Sequence, residues 1–377
     1  MHLERLSLLN FKNYAEAEFI FDERVNCFVG DNGEGKTNLL DAIHYLSMCK
    51  SYFNPIDSQN ILYEAPFFVV QGRFHRAGGE ENIYCGLKRN LKKQFKRNQK
   101  EYTRLAEHIG LLPVVMISPS DISLISSGSE DRRKLIDSII SQYDAPYLDN
   151  LIRYNQVLTQ RNALLKQMSQ SRYHDAGALD VWDDQLVELG NQIHEKRKEF
   201  LLRFIPIFKN YFNFITDEKE RVDLIYQSQL QGKNFAELLA DTRGKDQQFH
   251  YTTTGIHKDD LVFTIRDFSL KKTGSQGQQK SFLIALKLAQ FDFIRIEKKM
   301  KPILLLDDIF DKLDLKRVRR IIELVNSDGF GQIFITDAHP ERIVSIFSEI
   351  KQEVKTFLIK NGSGTDVHAM NAKAPLS

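Results

Sequence analysis

Apolar positions change their period along this chain, and each change marks a different kind of segment. From Leu3 to Cys27 they fall in short runs, first Leu6 and Leu8, then Ala17-Glu18-Phe19-Ile20-Phe21, the pattern of strands and turns. Val25-Asn26-Cys27-Phe28-Val29 is a short apolar strand, and the segment after it carries apolar residues at Leu39, Ala42, Ile43 and Leu46, which is helical spacing. Residues 61–118 return to β character, with Phe67-Phe68-Val69-Val70 and Val114-Val115-Met116-Ile117 as the clearest strands. Between about 120 and 215 the period is helical again. Leu135, Ile136, Ile139 and Ile140 predict one helix, and Leu148, Leu151, Leu158 and Leu165 a second. Leu186, Leu189 and Ile193 predict a third, with a turn at 170–176. The heptad pattern stops too soon for an extended coiled coil, so these stripes are expected to be packing faces, with Trp182 packed in the same lobe. β character resumes around 249–266, a helix is predicted over 276–296, and Ile303–Leu306 and Ile333–Thr336 read as strands. From Asn361 onward a loosely ordered tail is expected.

These elements frame a phosphate-binding motif. Gly30-Asp31-Asn32-Gly33-Glu34-Gly35-Lys36-Thr37 fits G-x-x-x-x-G-K-[ST], and it lies between a strand and a helix as that motif requires. Its glycines let successive backbone N–H groups turn inward around an anion, and the following helix points its positive end at the same place. Lys36 is placed to reach β and γ phosphates, and the Thr37 hydroxyl to hold Mg²⁺. Downstream, the strand Ile303-Leu304-Leu305-Leu306 ends on Asp307 and Asp308. Its unbroken apolarity predicts cover on both faces, as in a parallel sheet, whose ligands bind beyond the strand C-termini. Beside a P-loop, Asp307 suits the Mg²⁺ shell and Asp308 suits orienting or deprotonating the attacking water.

Thr273-Gly274-Ser275-Gln276-Gly277-Gln278 opens the helix expected at 276–296. Such a cluster serves as an N-cap, but its order also resembles the S-x-G-Q signature of ABC-type ATPases. That resemblance implies that Ser275, Gly277 and Gln278 contact the γ-phosphate of ATP held by a second subunit, and that Asp314 is the D-loop residue. The distance from Lys36 to Ser275, about 240 residues, exceeds what a transporter subunit needs and falls short of an SMC chain with its long coiled coil.

Over nearly its whole length the chain resembles the RecF family of bacterial recombinational-repair ATPases. The likeness rests on Asn10-Phe11-Lys12-Asn13-Tyr14, the run Gly33 to Leu40, Ser118-Pro119-Ser120-Asp121 with Arg132-Arg133-Lys134-Leu135-Ile136-Asp137, Tyr154–Leu158 with Gln160–Lys166, and Gly255-Ile256-His257-Lys258-Asp259-Asp260-Leu261. Departures are Ser127 and Ser129 before the Arg pair, Asp311-Lys312 before Leu313-Asp314, and Asp337 directly after Thr336, with His339 two residues on. The resemblance implies an ATP-dependent homodimer that binds single-strand/double-strand junctions of gapped DNA. It would work with RecO and RecR to load recombinase, hydrolysing ATP slowly as a switch in DNA repair, replication and the SOS response. Asp308 stands where most ABC-type ATPases carry Glu. The rival readings are a short SMC-type chromosome-organising ATPase, an ATP-driven transporter subunit, and an ATP-binding adaptor without useful hydrolysis.

The expected fold class is α/β: an ABC-type P-loop ATPase head formed by both chain ends, with an inserted lobe carrying a helical arm. The expected boundaries are 1–118 for the first half of the head, 119–248 for the insertion and 249–377 for the second half. A chain of 377 residues is too long for one ordinary core, which agrees with such a division. Its net charge of +2 excludes strong overall attraction to nucleic acid, so DNA contact requires local patches. One such patch is Lys88, Arg89, Lys92, Lys93, Lys96, Arg97 and Lys100, a run without acidic residues that reads as a basic hairpin suited to phosphates. Arg132, Arg133 and Lys134 form a second candidate, with Glu130 and Asp131 at hand as alternative partners. His257 with Asp259 and Asp260 lacks a third ligand at metal spacing, which favours a structural or interface role. Cys27, Cys49 and Cys85 have no metal or disulfide pattern, Met1–Arg5 shows no signal-peptide blocks, and no apolar run approaches the ~20 residues of a membrane span. A cytoplasmic protein that makes no contact with a membrane is expected.

Overall fold

The computed structural model describes residues 1–170, 176–217, 220–309, 315–325, 329–338 and 354–367. The chain forms two compact units, Met1–Asp121 with Lys280–Ser377, and Ile122–Gln279. The first unit begins with β1 (His2–Phe11), β2 (Tyr14–Ile20), β3 (Val25–Val29), α1 (Lys36–Met48), β4 (Phe67–Arg76), β5 (Gly79–Lys88), β6 (Gln94–Arg97), β7 (Lys100–Glu101) and β8 (Val114–Ile117). All of these strands except β3 and β8 build an antiparallel sheet in the order β2-β1-β4-β5-β6-β7. Leu3 and Leu6 are an odd number of residues apart yet both are buried, because the register against β4 shifts between Leu3 and Arg5.

The second unit holds α2 (Ser123–Ser126), α3 (Ser129–Ser141), α4 (Ala145–Gln170), α5 (Asp180–Thr216), β9 (Val222–Gln227), α6 (Phe235–Phe249), β10 (Asp260–Ile265), β11 (Phe268–Ser269) and α7 (Leu270–Thr273). Helical periodicity placed α3 and α5 on their predicted apolar residues. In α4 the buried face differs: it runs through Tyr147, Tyr154, Val157, Arg161, Leu165 and Met168, while Leu148, Leu151 and Leu158 are half-buried. The cause is polar. Arg161 is fully buried, with Nε donating to Asp183 Oδ1 at 2.5 Å and Nη1 donating to Asp246 Oδ2 at 2.7 Å and Thr252 Oγ1 at 2.9 Å. Arg161→Leu takes the cation from the buried Asp246 and one of the two from Asp183, which keeps Arg243, so the unfolding transition of this unit in urea is expected to lose about 3–5 kcal/mol. A variant as stable as the parent would show that the pairs do not hold the bundle. Trp182 is half-buried. The expected turn at 170–176 lies largely outside the described residues.

The chain returns to the first unit along α8 (Gln276–Lys298), followed by β12 (Ile303–Asp307), α9 (Leu315–Val325), β13 (Ile333–Asp337), β14 (Lys355–Lys360) and β15 (Ser363–Asp366). These strands join β3 and β8 in a second sheet, ordered β15-β14-β3-β13-β12-β8, in which β14, β3, β13, β12 and β8 are parallel. A strand from the N-terminal end thus lies between two from the C-terminal end, and the head is built from both. Phe19 of the first sheet's edge strand and Phe21 just beyond it pack on Phe28, Phe334 and Phe357, and the buried Gln332 bonds Leu3 N, Leu3 O and Asp22 O at 2.7–2.8 Å.

Two expectations are corrected. The second unit extends to Gln279 where the sequence placed a boundary at 248, because β10 pairs along its length with β9. Residues from Asn361 are not a loose tail up to Asp366. β14 and β15 form a hairpin whose two-residue turn, Asn361-Gly362, has φ of 50° and 66° at its two positions, as a type I′ turn requires.

Candidate functional site

In a parallel sheet all strands end at one edge. Here β3 delivers the P-loop, β12 delivers Asp307 and Asp308, β13 delivers Thr336, and β8 delivers Ser118. Backbone geometry explains the glycines. Gly30 has φ 147°, and a Cβ there would lie 2.3 Å from the carbonyl oxygen of Ile359. Gly35 has φ 111°, with the Asn13 side chain 2.4 Å from where its Cβ would be. Gly35 is also the N-terminal cap residue of α1; no side chain caps that helix, and its first turn carries no acidic residue, which leaves a favourable electrostatic field for an anion. Asp31, Asn32 and Gly33 are exposed at the rim, and Glu34 is half-buried.

Lys36 is buried, with Nζ donating to the carbonyls of Gly30 at 2.6 Å and Asp31 at 2.8 Å, so its charge is held directly over the loop. Thr37 Oγ1 donates to Asp307 Oδ1 at 2.8 Å, and Thr336 Oγ1 donates to the same oxygen at 2.9 Å. Ser118 Oγ donates to Asp307 Oδ2 at 3.3 Å. Burial pushes the Asp307 carboxyl above its ordinary range, and the three hydroxyls pull in the other direction. One buried carboxylate ringed by hydroxyl oxygens is a hard-oxygen donor set that fits Mg²⁺, and no cluster of three or more His, Cys, Asp or Glu suited to another metal occurs among the described residues. Asp308 has φ 45° and donates its backbone N–H to Thr336 Oγ1 at 2.9 Å, which braces the left-handed turn after β12. A cleft of about 220 Å³ is lined by Asn32, Gly33, Gly35, Lys36, Thr37, Asn38, Asp307, Asp308 and Thr336.

Several supports of this site were not assigned to it from sequence. Asn13 Nδ2 donates to Glu34 O at 3.0 Å, Tyr14 Oη donates to Gly35 O at 3.0 Å, and Asn38 Nδ2 donates to Asn13 Oδ1 at 2.7 Å. The Asn361 N–H donates to the Glu34 carboxylate, so the C-terminal hairpin also touches the loop. A second groove shares Thr37 and Asn38 with the cleft and continues along Lys12, Asn13, Phe53, Tyr63 and Arg89.

Ser275 and Gln278 make a reciprocal cap at the start of α8: Ser275 N–H donates to Gln278 Oε1 at 2.7 Å, and Gln278 N–H donates to Ser275 Oγ at 3.3 Å. Ser275 is exposed and Gly277 half-buried in the first turn. Asp314, with Asp311, Lys312 and His339, lies outside the described residues.

The basic run is a hairpin region, as expected, but its members differ in freedom. Lys93 is mostly buried, and its Nζ reaches Asp57 Oδ2 at 2.6 Å, Cys49 O at 2.7 Å and Tyr45 Oη at 3.1 Å, so it serves the interior. Arg97 is held by Glu81. Arg89 Nε donates to Ala65 O at 3.0 Å, and Lys96 lies over the Tyr84 ring. Lys88, Lys92 and Lys100 are exposed. Arg132 pairs bidentately with Asp260, Arg133 Nη1 donates to Asp259 O, and Lys134 pairs with Glu130. His257 is half-buried and bonds Tyr154 Oη and Thr252 O, and desolvation lowers its pKa to about 4. All three cysteines are free and buried, and no described helix is long and apolar enough to cross a membrane.

Comparison with known proteins agrees with this arrangement. The family model of the RecF/RecN/SMC N-terminal domain matches residues 2–363. A DNA replication and repair protein RecF of Flavobacterium johnsoniae is 53% identical over 95% of this chain and 99% of its own. One of Phocaeicola vulgatus is 50% identical over 97% of this chain and 98% of its own. A solved structure described as the recombination mediator protein RecF-ATP in the RecFOR pathway superposes with a TM-score of 0.88 at 29% identity, covering 97% of both chains. The Smc head domain of Pyrococcus furiosus, at 17% identity and a TM-score of 0.57, shares the fold alone. With half of its residues identical to those relatives over nearly the full length, the chain belongs to the RecF family.

Proposed function

We propose that this protein is an ATP-driven switch that binds DNA in replication and recombinational repair, with slow hydrolysis in a site completed by a second copy of the chain. The observation that carries this reading is the convergence of Lys36, Thr37, Asp307 and Asp308 at one sheet edge, although 270 positions separate Thr37 from Asp307. The names and bound nucleotide of the relatives support it. In this reading the backbone from Gly30 to Thr37 cradles the phosphates and Lys36 neutralises them. Thr37 and Asp307 would hold Mg²⁺, which supplies charge neutralisation at the β and γ oxygens. Asp308 orients the attacking water. The groove along Lys12, Asn13, Phe53 and Tyr63 takes the nucleoside. Ser275, Gly277 and Gln278 reach the γ-phosphate across the dimer, and Asp314 is the expected D-loop residue. RecO and RecR are the expected partners, gapped DNA with its single-strand/double-strand junctions the expected substrate, and the cytoplasm the expected compartment.

For DNA, the free cations Lys88, Lys92 and Lys100 are the strongest contacts, with Lys96 next. Changing Lys88, Lys92 and Lys100 together to Gln is expected to weaken binding equally for all sequences and to flatten the log–log salt dependence by about 0.9 per lost contact on duplex. An unchanged slope in a fluorescence anisotropy titration would return them to the role of a solvated surface. The ATPase rate with and without gapped DNA separates a switch from an adaptor: stimulation supports the switch, and no hydrolysis in either condition supports the adaptor.

A further inference from the structure

One buried ion pair of the first unit has no part in the site as described so far. Lys287 and Asp121 are each 4% exposed, and Lys287 Nζ lies 2.9 Å from Asp121 Oδ1. The Tyr52 hydroxyl joins them, accepting from Lys287 at 2.8 Å and donating to Asp121. The other carboxylate oxygen, Asp121 Oδ2, accepts the Ser118 N–H at 2.8 Å. Ser118 is the residue whose Oγ donates to Asp307, and Ser120 Oγ in turn donates to Ser118 Oγ at 3.2 Å. An unbroken polar chain therefore runs from Lys287 through Asp121 and Ser118 to the carboxylate at the end of β12. Lys287 sits on α8, the helix that starts at Gln276 beside Ser275.

We propose that Asp121 and Ser118 are positioning residues of the ATP site, and that the Lys287–Asp121 pair fixes Asp307 in the geometry that holds the metal. The proposal rests on the ATPase reading above. A buried Lys–Asp pair gives no net stability that a well-packed apolar pair of similar volume would not give, so stability does not account for it. Placement does. Asp121 has both oxygens committed, one to a cation on a long helix and one to the backbone of the turn after β8, so the Ser118 hydroxyl has a fixed origin. Partners of metal-holding carboxylates act in this manner, by orienting a ligand they do not replace. Because Lys287 belongs to the helix whose first turn faces the second subunit in the proposed dimer, the same pair gives that helix a direct mechanical connection to Asp307.

The test compares Ser118→Ala, Asp121→Asn, the double variant and Lys287→Arg in the full chain. ATP affinity in the absence of divalent ions is expected to match the parent, since none of these residues touches the phosphate loop. Mn²⁺ affinity in the presence of ADP, read from the free-ion electron paramagnetic resonance signal, is expected to fall roughly 10- to 100-fold in Ser118→Ala and in Asp121→Asn, with kcat falling alongside and KM for ATP unchanged. The double variant should lose no more than the worse single one, because both act along one path. Lys287→Arg, which keeps the charge, should retain most of the Mn²⁺ affinity. Losses that multiply in the double variant, or parent-like Mn²⁺ affinity in Ser118→Ala, would overturn the proposal. Should Asp121→Asn fail to fold, Ser118→Ala decides alone, since it removes a single hydroxyl. A parent protein that neither binds nor hydrolyses ATP would overturn the ATPase reading itself, an outcome distinct from variants that behave like an active parent.

Discussion

Lys36→Ala is expected to weaken ATP binding roughly 10- to 100-fold and to abolish ATP-dependent DNA binding. The size follows from losing charge-assisted hydrogen bonds to phosphate, worth about 1.5–3 kcal/mol together with the loop's electrostatics. No described side chain can replace it: the cleft holds one lysine, and the remaining charged groups lining it are Asp307 and Asp308. The loop should keep most of its shape, because Gly30, Gly35, Asn13 and Tyr14 also hold it, while the bonds from Lys36 to the carbonyls of Gly30 and Asp31 are lost. Isothermal titration with ATP and Mg²⁺ measures the effect, and near-parental affinity would remove the P-loop from the account.

Asp308→Asn is expected to lower turnover by about 100-fold or more while leaving ATP binding intact, since it removes the group proposed to orient water. An aspartate is one methylene shorter than the glutamate common at this place, and catalytic geometry tolerates small displacements poorly, so the parent should already be slow. The ATP-bound dimer should therefore be long-lived, and longer still in Asp308→Asn. Ser275→Arg should block dimer formation by placing a bulky cation where the facing γ-phosphate is expected. Light scattering with ATP and Mg²⁺ reads both. A Ser275→Arg protein that dimerises like the parent would rule out the two-subunit site.

Much of this site could be read from the sequence because its parts are local. A strand, a glycine loop and a helix occupy consecutive residues, and Asp307 ends an apolar run that only a covered strand explains. The supports were not legible for the opposite reason. Ser118 and Thr37 meet Asp307 across 189 and 270 positions, and no periodicity within one segment reports such a meeting. Asn13 and Tyr14 belonged to a quoted motif, yet their bonds to Glu34 and Gly35 are visible only after β1 and β2 fold beside the loop. β15 was missed although Asn361-Gly362 is a strong hairpin signal, because its proximity to the C-terminal end favoured a tail. In α4 the leucine stripe was misleading. Burial there follows Arg161 and its two aspartates, and a buried cation carries no hydrophobic signature. Among the basic residues, sequence could not separate Lys93, bound to Asp57 from a distant turn, from the exposed Lys92 beside it.

If ATP gates DNA binding, anisotropy of labelled gapped duplex against blunt duplex, at one fixed salt concentration with and without ATP and Mg²⁺, reveals it. Tighter binding with ATP, a preference for the gapped substrate, and loss of both in Lys36→Ala are expected. Equal affinity with and without nucleotide, on either DNA, would contradict such gating.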